Sequence, residues 1–424
     1  MYSSGKDIKM FEKNEKSDFL WNMIGSLVYA MSTVFMSYLT IRIVGEEKGG
    51  IFAIALTISQ MLVYFGYFEM RNYQVTDSKD RYTFGQYFTT KIYTCAIMLL
   101  VSIGYILLKG YDREKAGIVL LVCILKLIDA FADVYESQFH KDGYLYLAGK
   151  SMCHRTLIMM AIYFIMLIMT HNLVITMIIS DVVAVICVYI FDIKVYNKFE
   201  DKFNLCNIKS VLEIMKNCFP LFLGVFLWAY ILSAPRLAVD KYMSSEYQSY
   251  YQAIFLPVSV INLFAGFLFR PMLITLTDLN EKKEFRKFFA IIFKMLSCLI
   301  GITVVCLIGA YLLGIPVLSI ATGCELSAYR SLLVFTIAAG GINSIAFVLY
   351  YILTIFRTKK LIMTGYILSA ISVYILSDRL VQQSELFGAS MSFFVAVCVL
   401  GLFFAGSIIV YVLKVKKTIK QNIK

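Results

Sequence analysis

The chain has 424 residues, 60% of them hydrophobic and 16% charged, with 40 Lys and Arg against 28 Asp and Glu and a mean hydropathy of +0.75. A soluble domain is about 45–50% apolar and about 25% charged, so this balance excludes a string of soluble domains and points to an integral membrane protein. The ten cysteines form no C-x-x-C pair and the three histidines no H-x-x-x-H or H-E-x-x-H pattern, so no disulfide framework, metal site or cofactor is expected.

Apolar stretches long enough to cross a bilayer (about 20 residues) follow one another along the chain. Twelve can be marked: 19–42, 50–70, 86–108, 116–139, 148–170, 172–193, 212–238, 249–276, 287–313, 326–356, 360–378 and 385–413. The expected fold is therefore all-α and polytopic. The first stretch, from Phe19 to Ile41, is longer than the ~7–15 residues of a signal-peptide core and ends without an A-x-A site, so it reads as a membrane span behind a short basic tail. It carries a polar stripe, Asn22, Ser26, Thr33 and Ser37, at helical spacing. Small residues of this kind favour close helix packing in lipid.

Charges inside spans are costly and mark functional candidates. In the fourth span, "LKLIDAFADVYESQFH" sets Lys126, Asp129, Asp133, Glu136 and His140 at spacings of three and four, which places them on one helix face. That face must turn into the bundle or a watery cavity. It reads either as a cation or proton relay with Asp129 nearest the middle, or as a Lys126–Asp129 pair that fixes packing. Asp181 stands alone in "TMIISDVVAVICV" of the sixth span. It reads either as a proton-coupling carboxyl or as a neutral packing group. Lys126, Asp129, Asp133 and Asp181 are thus the candidates for coupling to H+ or Na+.

The embedded charges of the second half are mainly basic: Arg236, Arg270 and Lys294. With Arg71 they are the candidates for holding an anionic substrate, because the guanidinium fork matches phosphate and carboxylate oxygens. Snorkelling to the headgroups is the alternative for an arginine near a helix end. All five prolines lie in the second half. Pro220, Pro235, Pro257 and Pro271, on spans seven and eight, are candidate gating positions, with Pro235 expected to end or bend its helix at the outer rim.

Lys and Arg set orientation. With both termini in the cytoplasm, 27 of the 40 basic residues, Arg71, Lys150 and Arg155 among them, fall on the inner side and nine on the outer. Topology thus accounts for most of the net charge of +12, and nucleic-acid binding is not inferred from it. No loop is long enough to fold as a soluble catalytic domain, so an enzyme is not expected.

The two halves can be superposed as sequences. "FGYFEMR" (Phe65 to Arg71) and "FAGFLFR" (Phe264 to Arg270) share F-x-x-F-x-x-R, and "FGQYF" and "FRKFF" follow each at similar distance. Two lobes of six spans, 1–205 and 206–424, related by a parallel repeat are expected, with a substrate path near mid-membrane as in alternating-access transporters.

"SAPRLAVDKYMSSEYQSYYQAIF", "INLFAGFLFRPML", "FGYFEMRNYQVTD" and "DAFADVYESQFHKDGYLYLAGKS" resemble the polysaccharide-repeat flippases of the MOP exporter superfamily, the branch associated with capsule and O-antigen (lipopolysaccharide) assembly. The resemblance runs over nearly the whole chain. It implies a flippase of the cytoplasmic (inner) membrane that moves an undecaprenyl-pyrophosphate-linked oligosaccharide outward, with contact to polysaccharide polymerase machinery. Span one carries only Arg42, at its outer end, which departs from the lipid II-type relatives. The competing readings are a multidrug or cation antiporter of the same superfamily, against which the basic second half speaks, and a membrane polymerase or glycosyltransferase, which would need a large catalytic loop.

Overall fold

The computed structural model describes residues 15–77, 81–199, 206–269 and 272–422. Every regular element among them is helical. Lipid offers backbone groups no partners, so a chain this apolar satisfies them within helices. Nine stretches of the described residues are long and apolar enough to span a membrane. The chain is a polytopic all-α membrane protein.

Contacts divide it into two compact units. Unit 1 comprises residues 1–44 and 51–226, and unit 2 comprises Gly45–Gly50 and Leu227–Lys424. Unit 1 is built from α1 (Glu15–Val44), α2 (Glu46–Tyr67) from Ile51 onward, the short α3 (Met70–Val75), α4 (Phe84–Lys109), α5 (Arg113–Lys141), α6 (Leu145–Thr170), α7 (Leu173–Val188), the single turn α8 (Lys194–Tyr196) and the first half of α9 (Ile208–Tyr242). Asp112 caps α5 by accepting from the Lys115 amide at 2.9 Å, and Asn172 caps α7 by accepting from the amides of Val174 and Ile175.

α1 lies against α6. A Cβ on Gly149 would stand 2.4 Å from the Trp21 carbonyl carbon, and one on Gly25 would stand 2.5 Å from the Gly149 oxygen. Two glycines therefore let the backbones touch. Ser37, from the polar stripe, is fully buried, whereas Ser26 on the same helix is exposed.

Unit 2 holds the rest of α9, then α10 (Ser245–Phe269), α11 (Leu273–Glu281), α12 (Phe285–Gly309), α13 (Ile315–Thr322), α14 (Arg330–Ile355) and α15 (Lys359–Asn422). Non-helical backbone at Ser384 and Glu385 splits α15. Ser369 Oγ donates to the Ala396 carbonyl at 2.8 Å and Ser377 Oγ to Ser392 Oγ at 3.3 Å, so the two arms run antiparallel. These arms are the expected spans 360–378 and 385–413. The apolar core of unit 2 gathers Phe269, Leu276, Phe288, Phe356 and Phe404.

The span placed at 249–276 is divided: α10 ends at Phe269 and α11 begins at Leu273. Of the two outcomes expected at Pro235, an end or a bend, the structure excludes the end, since α9 continues through Pro220 and Pro235 to Tyr242. A membrane helix tolerates proline because neighbouring helices and hydroxyl groups take up the freed carbonyl. Pro257 likewise lies inside α10.

Candidate functional site: a buried ion network and cavity in unit 1

α5 occupies the middle of unit 1, packed against α3, α4, α6 and α7. Its apolar positions face those helices, and so does the charged face read from the sequence. Lys126, Asp133 and Glu136 are buried, and His140 at the helix end is half-buried. Such charges persist only when each finds partners, and here they do.

Arg71 Nη1 donates to Asp133 Oδ1 and to Glu136 Oε2, both at 3.1 Å. Lys91 Nζ, with no exposed side-chain surface, lies 3.1 Å from Asp133 Oδ2. Lys126 Nζ contacts Asp129 Oδ2 at 3.2 Å, and Tyr29 OH donates to the same oxygen at 3.1 Å. Arg155 joins the two ends: Nη2 lies 3.1 Å from Glu136 Oε1 and 3.5 Å from Asp129 Oδ1, while Nη1 lies 3.1 Å from Asp192 Oδ2. Ser151 Oγ donates to Asp192 Oδ1 at 2.6 Å. Four cations (Arg71, Lys91, Lys126, Arg155) thus face four carboxylates (Asp129, Asp133, Glu136, Asp192), drawn from α3, α4, α5, α6 and the turn after α7.

The break between α2 and α3 positions this network. Phe68 and Glu69 both adopt left-handed backbone, at φ 48° and 50°. Non-glycine residues held there cost about 1–3 kcal/mol each and persist only where their surroundings impose them. Those surroundings are visible. The Phe68 ring is buried and stacks on Phe222, with centroids 4.5 Å apart. A helix end leaves carbonyls without partners. Thr94 Oγ1 donates to the Gly66 carbonyl at 3.0 Å, and Lys91 Nζ reaches the Gly66 and Tyr67 carbonyls at 3.4 and 3.5 Å. A cation also suits a helix C-terminus. Beyond the break, Arg71 and Gln74, three residues apart on α3, both bond to α5: Gln74 Nε2 donates to Gln138 Oε1 at 3.0 Å.

Beside the break is a cavity of about 290 Å3 lined by Tyr29, Tyr64, Tyr67, Glu69, Arg71 and Arg155, among others. Arg71 is 32% exposed, the most open of the network cations. A smaller void of about 20 Å3 shares Tyr29, Asp129 and Arg155 with the cavity, so the network stands between two spaces.

The structure therefore brings together Arg71, Lys126, Asp129 and Asp133 of the residues singled out from the sequence. Asp181 on α7 is buried apart from the ion pairs given above, and neither of its carboxylate oxygens has a hydrogen-bond partner among the described residues. Arg236, in unit 2, is buried rather than snorkelling, with its guanidinium 4.1 Å from the centre of the Phe255 ring. Its backbone carbonyl accepts from Gln248 at 2.6 Å. Lys294 lies on the exposed face of α12 beside the exposed Phe293. Arg270 and Pro271 lie outside the described residues.

Lys91, Arg155, Asp192 and Tyr29 join the candidate site without being singled out by the sequence. Charge counting makes Arg155 a topology-setting inner cation, yet it is buried at the centre of the network because three carboxylates converge on it. Among the described residues of unit 2, Arg236 is the one charged side chain in the buried class, and the buried charge is concentrated in unit 1.

No protein-family model and no curated protein matches the chain. Solved structures do. The lipid II flippase MurJ in an inward closed conformation aligns at TM-score 0.72 over 92% of this chain and 87% of that one, at 12% identity. An inward-facing multidrug resistance MATE family transporter of the MOP superfamily aligns at TM-score 0.61 over 95% and 96%, at 11% identity. A mutant of the Vibrio cholerae MATE transporter VcmN aligns at 0.56 over 92% and 96%, at 14% identity. At these identities the likeness establishes the architecture alone: the chain has the fold shared by these transporters.

Proposed function

We propose that the chain is a flippase of the cytoplasmic membrane that carries undecaprenyl-diphosphate-linked oligosaccharide units to the outer leaflet by alternating access, for surface polysaccharide assembly. The observation that carries this reading is Arg71: a partly exposed guanidinium on the wall of a cavity among the helices of unit 1, bonded to Asp133 and Glu136 through Nη1. A diphosphate entering that cavity would compete with the two carboxylates for the same arginine. The extent of overlap with a lipid II flippase, together with the sequence resemblance, supports a lipid-linked substrate. Both termini inside, and contact with a polymerase, belong to this proposal.

A second reading, export of lipophilic cations in exchange for H+ or Na+, is favoured by the carboxylates Glu69, Asp129, Asp133 and Glu136 on the same wall and by the MATE-like fold. Purified protein in proteoliposomes separates the two. The flippase reading expects translocation of a lipid-diphosphate oligosaccharide and no uptake of a fluorescent lipophilic cation, and the opposite pattern would replace it. Asp129 and Asp181 are the proposed coupling carboxyls. Asp181→Asn should insert and fold as wild type yet flatten the pH profile of transport. An unchanged profile in both Asn variants would return these residues to packing roles.

A further inference from the structure

α6 presents a second cluster on its exposed side. Lys150 and His154 fall four residues apart near its start, each one position before a member of the ion network, Ser151 and Arg155. Lys150 Nζ stands 5.2 Å from the centre of the Trp21 ring and 5.2 Å from that of Tyr146. The His154 ring lies beside Trp21 at 5.9 Å and 31°, and beside Phe191, in the turn after α7, at 5.5 Å and 19°. His154 Nδ1 is 2.7 Å from the Lys150 carbonyl, which can only accept, so Nδ1 is the donor and Nε2 remains for another partner. Lys194, three residues beyond Phe191, is exposed. The carboxylate of Asp18 is turned to the start of α6, where it accepts from the Tyr146 amide at 2.7 Å.

A helix rises about 1.5 Å per residue, so Lys150 and the last residue of α6, Thr170, stand about 30 Å apart, the thickness of a bilayer's hydrocarbon core. Lys150 therefore falls at the boundary where headgroups begin. Trp and Tyr rings favour that boundary, and basic side chains there attract anionic headgroups. Toward mid-membrane the same stripe of α6 turns apolar: Leu157, Ile158, Ile165 and Ile168 are exposed, at helical spacing from His154. A basic, donor-bearing end continued by an apolar stripe matches the two parts of a phospholipid. A partner's membrane helix would fit the stripe but gives no reason for a lysine and a histidine packed on three aromatic rings at its end. We propose that the exposed face of α6, flanked by Trp21 and Phe191, binds one anionic glycerophospholipid, with its phosphate on Lys150 and His154 and an acyl chain along Leu157 to Ile168. In the orientation proposed above, this is a lipid of the cytoplasmic leaflet. Because Lys150, His154 and Phe191 adjoin Ser151, Arg155 and Asp192 in the chain, the bound lipid braces the backbone that holds one end of the ion network.

Trp21 reports on this site directly, because the chain's other tryptophan, Trp228, can be replaced. Full-length Trp228→Phe protein is reconstituted in phosphatidylcholine vesicles with rising fractions of phosphatidylglycerol, phosphatidylethanolamine or phosphatidylcholine carrying brominated acyl chains, which quench a neighbouring indole. The site predicts that phosphatidylglycerol displaces phosphatidylcholine beside Trp21 with a relative affinity of about fivefold or more, the order that one basic residue supplies at an anionic surface. Phosphatidylethanolamine has the phosphate without the net charge and should stay within about twofold of phosphatidylcholine. Lys150→Gln combined with His154→Gln should bring phosphatidylglycerol down to the same level, whereas Lys150→Arg should keep the preference. Equal quenching by phosphatidylglycerol and phosphatidylcholine in the parent protein, an arm that needs no substitution in the site, would overturn the proposal and leave the face to bulk lipid or a partner helix. So would phosphatidylethanolamine matching phosphatidylglycerol, or a preference that survives the double substitution.

Discussion

In unit 1, Lys91, Lys126, Asp133, Glu136, Arg155, Asp181 and Asp192 are all buried within helices or the turn that continues α7. In unit 2 the same class holds Arg236, and its interior polar contacts are made by neutral groups, such as Asn343 Nδ2 donating to Asn262 Oδ1 at 2.9 Å and Ser344 Oγ to the same oxygen at 3.0 Å. Both units are helical and both have continuous apolar cores. Stability alone does not require the ion network, because a buried ion pair is often no more stabilising than an apolar replacement of equal volume. Unit 2 is packed without one. What the network adds to unit 1 is a set of charges fixed in place around a cavity, which is what selective recognition of a charged ligand needs.

The largest effect that can break this comparison comes from removing the arginine at the centre of the network. Arg155→Met leaves Asp129, Glu136 and Asp192 facing one another without it, and breaking a buried pair in this way costs about 3–5 kcal/mol. Arg236→Met loses a cation–π contact worth about 2 kcal/mol when desolvated. Unfolding of the purified variants in detergent should rank Arg155→Met well below Arg236→Met. Equal losses would mean that the two units do not differ in their dependence on buried charge.

Helix packing gives the next contrast. Gly149→Ala drives a Cβ against the Trp21 backbone in unit 1 and should cost about 1–3 kcal/mol. Gly301→Ala in α12 of unit 2 meets nothing within 4 Å and should be neutral, or stabilising by up to about 1 kcal/mol through helix propensity. A stable Gly149→Ala variant would show that α1 and α6 are not in backbone contact.

A smaller effect lies outside the spans, in the turn before α4. Asp77 is buried in the turn, and burial alone would raise its pKa. The amides of Arg81 and Tyr82, which donate at 3.1 and 3.2 Å, and the Tyr87 hydroxyl at 3.1 Å outweigh that and hold the carboxyl below its ordinary range. Because the folded value is the lower one, the carboxylate contributes stability above the unfolded pKa of about 3.9, and the contribution is lost as pH falls through the folded value. Asp77→Asn should therefore remove part of the acid-side loss of stability and leave the neutral-pH side of the curve parallel to wild type. An acid limb identical to wild type would mean that Asp77 does not titrate with unfolding.

Much of this architecture is legible in the sequence, and for definite reasons. Bilayer thickness fixes span length, so hydropathy alone marks the helices. Helical spacing by itself places Lys126, Asp129, Asp133 and Glu136 on one face. What escapes is set by partners distant in the chain. Lys91 follows Thr89 and Thr90 inside an apolar run, and only the carbonyls released at Gly66 and Tyr67, with Asp133, explain a buried ammonium there. Arg155 resembles any inner-side cation until α5 and Asp192 are folded around it. The break after Tyr67 has no proline and no glycine at its two left-handed positions, so nothing local announces it. Phe222, more than 150 residues away, helps to hold it.

The proposed function depends above all on an anionic headgroup held by Arg71 in the cavity of unit 1, and the most direct measurement is flipping of a lipid-diphosphate oligosaccharide in proteoliposomes containing equal amounts of folded protein. Loss of a charged hydrogen bond to a buried anion costs about 1.5–3 kcal/mol, on the order of 10- to 100-fold. A graded series is expected in which Arg71→Lys, which keeps the charge but loses the fork, flips more slowly than wild type and Arg71→Ala is slower still by that order. Lys294→Ala, on the exposed face of α12, should flip as wild type. An Arg71→Ala protein that flips at the wild-type rate would rule out a diphosphate held by this arginine.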